Sequence, residues 1–339
     1  MRIRALAIRI IRQFLRDKRT LALLFLAPLL ILSLMKLVFA GQSVSPAIGI
    51  IDIPPSLASK FEGTNATITD YKTNESAYSA LEEGKLDAIL QFTGDTPELL
   101  LEGSDPSINK AVLLFLQSSL QTGNSGIALS IHYLHGGPDM APFDSFGPVL
   151  IGFFSFFFVF ILAGVSFLRE RTSGTLERLL TTPIRRSEVV LGYLTGFGIF
   201  TLLQATLIAW FSVDVLGLYM VGNIGSILLI NLLLSLTALT LGTLLSSFAS
   251  SEFQIIQFIP IVIVPQAFFS GLFNLDAMNP WLQKLSYIMP LKYGADAMKG
   301  IMIRGEGWND YQLDVYVLVG FSLVFAILNV LALKKHRSM

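Results

Sequence analysis

The apolar positions of this chain gather into six runs of about 20 residues, each long enough for a helix to cross the hydrocarbon core of a bilayer. The runs are 20–40, 146–168, 189–211, 224–245, 255–275 and 311–333. Backbone groups in lipid must pair within their own segment, so each run is expected to be a helix. The first run ends in Val38-Phe39-Ala40 behind a basic flank, which imitates a secretory leader with a small-residue cleavage site. It is longer than a usual leader core and reads as an uncleaved span. Cleavage would leave the later topology unchanged.

The polar stretches carry their own patterns. Ile3, Leu6, Ile10 and Phe14 recur at helical spacing among arginines, which suggests an amphipathic helix over 1–19 lying at the membrane surface. A plain basic flank is the simpler alternative. Residues 42–145 read as a small α/β domain. Strands are expected at 47–51, 66–71, 86–92 and 98–101, and helices at 54–61, 74–83 and 107–121. Gly84 stands where helices end. A turn-rich linker, Gly136-Gly137-Pro138 to Phe143, leads to the second run. Between the fifth and sixth runs, 276–310 holds two short amphipathic segments separated by Pro290. Trp281, Tyr287 and Tyr293 are residue types of the membrane interface. These elements are either re-entrant or flat on the surface, and the pattern does not choose.

Hydrophobic residues make up 53% of the chain and charged residues 14%, with no net charge. The distribution of charge is what informs. Arg2, Arg4, Arg9, Arg12, Arg16, Lys18 and Arg19 precede the first run. Arg169, Arg171, Arg178, Arg185 and Arg186 fill 169–187, and Lys334, Lys335 and Arg337 end the chain. An even number of spans puts both termini on one side, and the basic residues mark that side as cytoplasmic. Residues 41–145 carry thirteen acids against Lys60, Lys72, Lys85 and Lys110, and are expected outside. The expectation is therefore a polytopic α-helical membrane protein with six transmembrane helices and a small external α/β domain between the first and second. The domains are 1–19, 20–41, 42–145 and 146–339.

Chemistry is sparse. There is no cysteine to ligate metal, attack a substrate or bridge the external domain. His132 and His135 lack a surrounding ligand set, and no catalytic constellation is visible, so metal and cofactor sites are not expected. Nucleic acid is not an expected partner. The sequons at Asn65 and Asn74 read as chance. Gly84-Lys85 runs into Leu86, so no phosphate-binding loop is present. Pro260 and Pro265 in the fifth run are candidate hinges. Gln204, Asn231, Thr237 and Thr240 either line a pathway or bond between helices. Lys36, at the outer end of the first run, reads as snorkelling. The phenylalanines of the second run suit an apolar cargo or lipid packing, and lipid packing is the favoured reading.

The densest signal is 170–183, ERTSGTLERLLTTP. Ser173 is placed to cap a helix. Leu176, Leu179 and Leu180 make one stripe, Glu177, Arg178 and Thr181 take another face, and Pro183 ends the helix through its effect on Thr182. The run Glu170-Arg171-Thr-Ser-Gly174-Thr175-Leu176-Glu177-Arg178-Leu179-Leu180-Thr-Thr-Pro183 resembles the cytoplasmic signature of the type-2 ABC exporter permeases. Ser270-Gly271 and the stretch from Asn279-Pro280-Trp281 through Tyr287 and Pro290 to Tyr293 resemble that family's C-terminal pattern. The layout of spans agrees along nearly the whole chain.

The resemblance implies that 169–187 is a coupling loop docking on a separate ABC ATPase, which holds the ATP and magnesium. Glu170 and Arg171 would stand at the membrane end, and Gly174 and Thr175 would begin the helix. Leu176, Leu179 and Leu180 would touch the ATPase or the neighbouring inner helix, with Glu177 and Arg178 as polar contacts and 246–254 as a lesser contact. Pro280, Trp281, Tyr287, Pro290 and Tyr293 would belong to an external gate. The implied assembly is an exporter with two ATPases and a second permease, identical or related, in a bacterial plasma membrane. Its cargo would be a drug, antibiotic, peptide or lipid-like molecule. A membrane receptor or sensor with 46–143 as its ligand-binding module is the alternative. It would need a signalling domain that the six residues after Leu333 do not supply. A membrane-embedded enzyme would need ionisable residues clustered inside the spans.

Overall fold

A computed structural model describes residues 2–38, 46–51, 66–93, 96–120, 130–137, 140–273 and 279–335. The chain divides into two compact units, Lys36–Ser145 on the one hand and Met1–Met35 with Phe146–Met339 on the other. Helices α1 (Arg2–Arg16) and α2 (Lys18–Val38) open the chain. Asp17 separates them, its carboxylate accepting from the Thr20 hydroxyl at 2.6 Å and the Thr20 amide at 3.2 Å. Those bonds hold the Asp17 carboxyl below its usual range and cap the start of α2.

The smaller unit is a five-stranded sheet. Strands β1 (Ala47–Ile51), β2 (Thr67–Asp70), β3 (Ala88–Thr93), β4 (Thr96–Leu101) and β5 (Ser130–Tyr133) lie in the order β2-β1-β3-β4-β5. β1 is parallel to β2 and β3, β4 is antiparallel to β3, and β5 is parallel to β4. Side chains alternate across the sheet. Ile48, Ala88, Leu90, Leu99 and Leu101 therefore face Val112 and Leu116 of α4 (Pro106–Leu120). Ile51 and Ile89 face Ala77, Ala80 and Leu81 of the preceding helix α3 (Asn74–Glu82) on the other side. Burial on both faces explains the near-continuous apolar runs of β1 and β3. Gly84, at φ 70°, ends the α3 turn. Asp87 ties β3 to β1: its carboxylate accepts the Ala47 amide at 2.6 Å, and burial pushes its pKa up. β5 was not legible in the sequence, and the helix expected at 54–61 lies outside the described residues.

The larger unit is a helix bundle. After α1 and α2 come α5 (Pro142–Thr172), α6 (Thr175–Leu180), α7 (Arg186–Trp210) and α8 (Ile224–Ser246). The fifth long segment, Glu252–Leu272, is built in four pieces. Helix α9 (Glu252–Phe258) passes into a π-helical turn at Ile259–Ile263, then α10 (Val264–Ala267), then a second π-helical turn at Phe268–Leu272. Pro260 and Pro265 each sit one residue inside a piece, where the missing N–H breaks the regular ladder. Helices α11 (Pro280–Ser286), α12 (Pro290–Lys299) and α13 (Trp308–Lys335) complete the bundle. Among the described residues six helices are long and apolar enough to cross a membrane. Their bounds differ from the sequence runs by at most four residues at either end.

Burial ranks these helices. α8 is central, and α2 buries only Leu24, Pro28 and Leu32, one residue per turn. At Gly242 a side chain would lie 2.5 Å from the Phe160 carbonyl oxygen, so α5 and α8 pack backbone to backbone. The polar residues inside the spans bond between helices. Asn231 donates to the Ala205 carbonyl (2.9 Å), Asn329 to that of Thr240 (2.8 Å), and Thr237 meets Ser322 (2.8 Å). Gln204 answers a defect that proline creates. Pro28 has no N–H to offer the Leu24 carbonyl four residues back, and the Gln204 amide donates to that oxygen at 3.3 Å.

Packing also settles the segment between the fifth and sixth spans. α12 inserts among α8, α13 and the fifth span, burying Leu291, Ala295 and Met298, and the π-helical turn Gly300–Arg304 that continues it buries Ile301 and Ile303. Its first amide, on Leu291, donates to the buried Gln266 side chain at 3.0 Å. Pro290 is thus the first residue of α12 and not merely a spacer. α11 stays at the surface, with Trp281 and Tyr287 more than half exposed.

Candidate functional site

Residues 170–183 lie at one end of the bundle. Glu170 and Arg171 belong to the last turn of α5, and Gly174 makes the corner into α6 at φ 70°, a conformation that favours glycine. Ser173 does not cap α6. Gly174 is the cap residue, and the Ser173 hydroxyl instead meets the Glu170 carbonyl and Thr175 Oγ1. The corner is too tight for the serine to reach forward, because α5 runs on to Thr172. α6 ends with Thr181 and Thr182 bonding back to Arg178 and Leu179, before the exposed Pro183. Its apolar stripe is unevenly used. Leu176 is 2% exposed, Leu179 and Leu180 are half-buried, and Glu177 and Arg178 face solvent.

Charged side chains stitch this corner to its neighbours. Glu170 is buried and takes an ion pair from Arg9 of α1, and the Tyr193 hydroxyl of α7 donates to the same carboxylate oxygen at 3.0 Å. One carboxylate thereby joins α1, α5 and α7. Arg171 spreads its guanidinium over the open end of α8, donating to the carbonyls of Ser246 (2.9 Å), Ser247 (2.7 Å) and Ala249. The last carbonyls of a helix lack partners and carry partial negative charge, so a cation there satisfies both needs. Arg169 reaches Glu252 at 2.6 Å, with Asp17 at 3.7 Å. Glu252 is the one charge of 246–254, so both loops at this end are tied together. Arg2 donates to the Pro183 carbonyl and approaches Glu188 at 3.6 Å.

α1 is the second half of the site. Its stripe, expected to lie on the membrane surface, is covered by α7 instead. Leu6, Ala7, Ile10 and Phe14 are buried. Gly192 and Gly196, one turn apart on α7, have no side chains where Leu6 and Ile10 press in. Phe14 closes the contact against Phe200, with ring centroids 4.5 Å apart. The glycines decide this docking, because only a bare α7 surface admits α1 so closely.

The remaining candidates lie elsewhere in the bundle and are not brought to this corner. Lys292 Nζ stands 4.0 Å over the Tyr287 ring, and the Tyr293 hydroxyl donates to the Tyr287 carbonyl at 2.8 Å. Burial, then Asp314 and Tyr287, raise the pKa of Tyr293. Pro280 opens α11 behind an Asn279 cap. Pro260 and Pro265 mark the interrupted fifth span. No group of three or more His, Cys, Asp or Glu side chains suited to a metal occurs among the described residues. Sequence reasoning passed over Arg2, Arg9, Tyr193 and Gln266 as site residues. Only their partners, distant in sequence, give them meaning.

Residues 18–331 match the model of the family described as ABC-2 family transporter protein. The chain is 26% identical over 293 residues to ABC transporter G family member 20 of Dictyostelium discoideum, which spans 85% of this chain and 38% of that protein. It is 27% identical over 178 residues to the probable multidrug ABC transporter permease YbhS of Escherichia coli (strain K12), spanning 52% and 47% of the two chains. Against YbhR of the same strain it is 26% identical over 169 residues, spanning 50% and 45%. These alignments cover less than half the length of each curated relative. With a family match across nearly the whole chain and six apolar helices in the bundle, this protein belongs to the ABC-2 type family of transporter permeases.

Proposed function

We propose that this chain is the membrane permease of an ATP-driven exporter. It works with ABC ATPase subunits and a second permease, identical or related, in a bacterial cell membrane. Both termini and 169–187 face the cytoplasm, and the smaller unit lies outside. Cargo of the drug, antibiotic, peptide or lipid-like class fits the names of the multidrug relatives. ATP and magnesium belong to the ATPase. What this chain contributes is the surface that receives the motion of that subunit.

The observation that carries this reading is the division of labour in 170–183. Leu176 anchors α6 inside the chain, while Glu177 and Arg178 stay exposed on a short, braced element. A displacement of α6 passes to α1 and α7 through Glu170, and to α8 and the fifth span through Arg171 and Arg169. Those links run through charge-assisted bonds in tight geometry, so they move as a body. The interrupted fifth span, with Pro260 and Pro265, is the element suited to bend in response. The segment from Pro280 to Tyr293, packed against that span, acts as the outer gate.

The test uses the exposed residues, because Leu176 is already spent within the chain. Exchanging the two charges, Glu177→Arg with Arg178→Glu, leaves the helix intact and inverts the surface a partner meets. Expected are weaker co-purification of an ABC ATPase subunit co-expressed with this permease and loss of transport-coupled ATP hydrolysis. If association and transport both survive the exchange, the coupling role of α6 is wrong.

A further inference from the structure

The basic residues of the first nineteen positions, together with Arg169 at the end of α5 that faces them, divide into two groups. Arg2, Arg9 and Arg169 are spent on acidic partners. Arg4, at the far end of α1, and Arg12, Arg16, Lys18 and Arg19 are exposed, and their side chains make no ion pair or hydrogen bond among the described residues. The only acid among 12–19 is Asp17, and it is occupied by Thr20 and Arg169. The last four of these cations stand at or near the junction of α1 and α2, and Arg19 among them lines an apolar groove there.

The groove follows from how little of α2 is packed. Only Leu24, Pro28 and Leu32 of that helix are buried, and a cleft of about 220 Å³ opens between α2 and α5. Leu23, Phe158, Ile161 and Leu162 form its walls, and Arg19 and Arg169 stand at its polar end. The lining from Phe158 to Arg169 extends roughly 16 Å along α5 at 1.5 Å per residue. The same site thus combines a narrow apolar slot with cations at one end.

We propose that this site binds one anionic phospholipid as a fixed component of the permease. The phosphate sits against Arg19 and Arg16, and one acyl chain lies in the α2–α5 groove. Charge selects the occupant. A zwitterionic lipid carries a cation that would meet these unpaired guanidinium groups, and an anionic headgroup does not. Asp17 is the one acid among 12–19, and Arg169 at 3.7 Å offsets its charge in part while Thr20 occupies its oxygens. Such a lipid would brace the α1–α2 junction, next to the Arg169–Glu252 link, and so stiffen the start of the proposed coupling path. The inference requires only the bundle itself and would stand if the cargo or the ATPase docking were otherwise.

The experiment is native mass spectrometry of the full chain in detergent, titrated with phosphatidylglycerol or phosphatidylcholine of the same acyl chains. The wild type should retain one phosphatidylglycerol in preference to phosphatidylcholine. Arg16→Gln with Arg19→Gln should weaken that lipid by about fivefold per arginine, in line with the worth of a basic side chain at an anionic surface. Both positions are exposed, so melting in phosphatidylcholine should not move. Leu23→Trp should fill the groove and reduce occupancy by either lipid, and Arg4→Gln, at the far end of α1, should change nothing. Equal retention of the two lipids, or undiminished selectivity in the double variant, overturns the proposal. Full displacement of the lipid by inorganic phosphate would also overturn it, because the groove would then contribute no affinity.

Discussion

Replacing Arg9 by Met probes the link between α1 and the rest of the corner. The Glu170 side chain is 5% exposed and takes two partners, the Arg9 guanidinium and the Tyr193 hydroxyl. Removing Arg9 leaves a buried carboxylate with one neutral donor. Breaking a buried pair in this way costs about 3–5 kcal/mol. The Arg9 side chain is 35% exposed, so water can reach the vacated side, and the lower end, about 3 kcal/mol, is expected. Most of that cost is the stranded charge and not the lost attraction. Glu170→Gln in the Arg9→Met background should therefore recover the greater part, since glutamine still accepts from Tyr193. The assay is amide hydrogen exchange along α1 in detergent-solubilised protein. About 3 kcal/mol corresponds to a rise of roughly two orders of magnitude in the α1 opening equilibrium, at 1.36 kcal/mol per decade. If the double variant exchanges as fast as Arg9→Met alone, or if Arg9→Met leaves α1 protected, the carboxylate does not hold α1 in place.

Three further outcomes are expected. Gly196→Leu should loosen α1 by about 1–3 kcal/mol, because the first added carbon would already lie 2.9 Å from the Ile10 side chain; unchanged α1 protection would rule out the close approach. Gln204→Leu should lower stability in detergent unfolding by about 1 kcal/mol by stranding the Leu24 carbonyl, and Pro28→Ala should offset the loss by restoring the N–H. For Asp87, burial raises the folded-state pKa above 3.8, so the smaller unit is most stable with that carboxyl protonated. Its stability should fall as pH rises from 3.8 through the raised value, and Asp87→Asn, which keeps an acceptor for the Ala47 amide, should flatten the fall. Hydrogen exchange of the β1 and β3 amides against pH measures it, and an unaltered slope in the variant would count against the burial argument.

What was legible in the sequence was what hydrophobic periodicity and local stereochemistry encode. Six apolar runs became six long helices because lipid leaves the backbone no other way to pair. β1 and β3 were visible as apolar runs, and Gly84 as a helix end, because those signals are local. β5 was hidden, since four residues of unremarkable pattern become a strand only beside β4. Ser173 misled for a similar reason. Its sequence context is that of a cap, but the length of α5 determines where the corner falls.

The sequence by itself determined the six apolar runs long enough to span a bilayer, each carried by residues adjacent in the chain. Tertiary structure alone decided which faces those helices turn to one another. The arginine-flanked stripe of α1 is amphipathic by composition, and only the bare Gly192 and Gly196 of α7 make it a buried contact and not a surface one. Glu170 and Arg171 are neighbours in sequence with opposite errands. One is pulled to α1 and α7, the other to the open end of α8. Helical rotation of about 100° per residue sends adjacent side chains to different neighbours, and what those neighbours are is fixed by packing across the bundle.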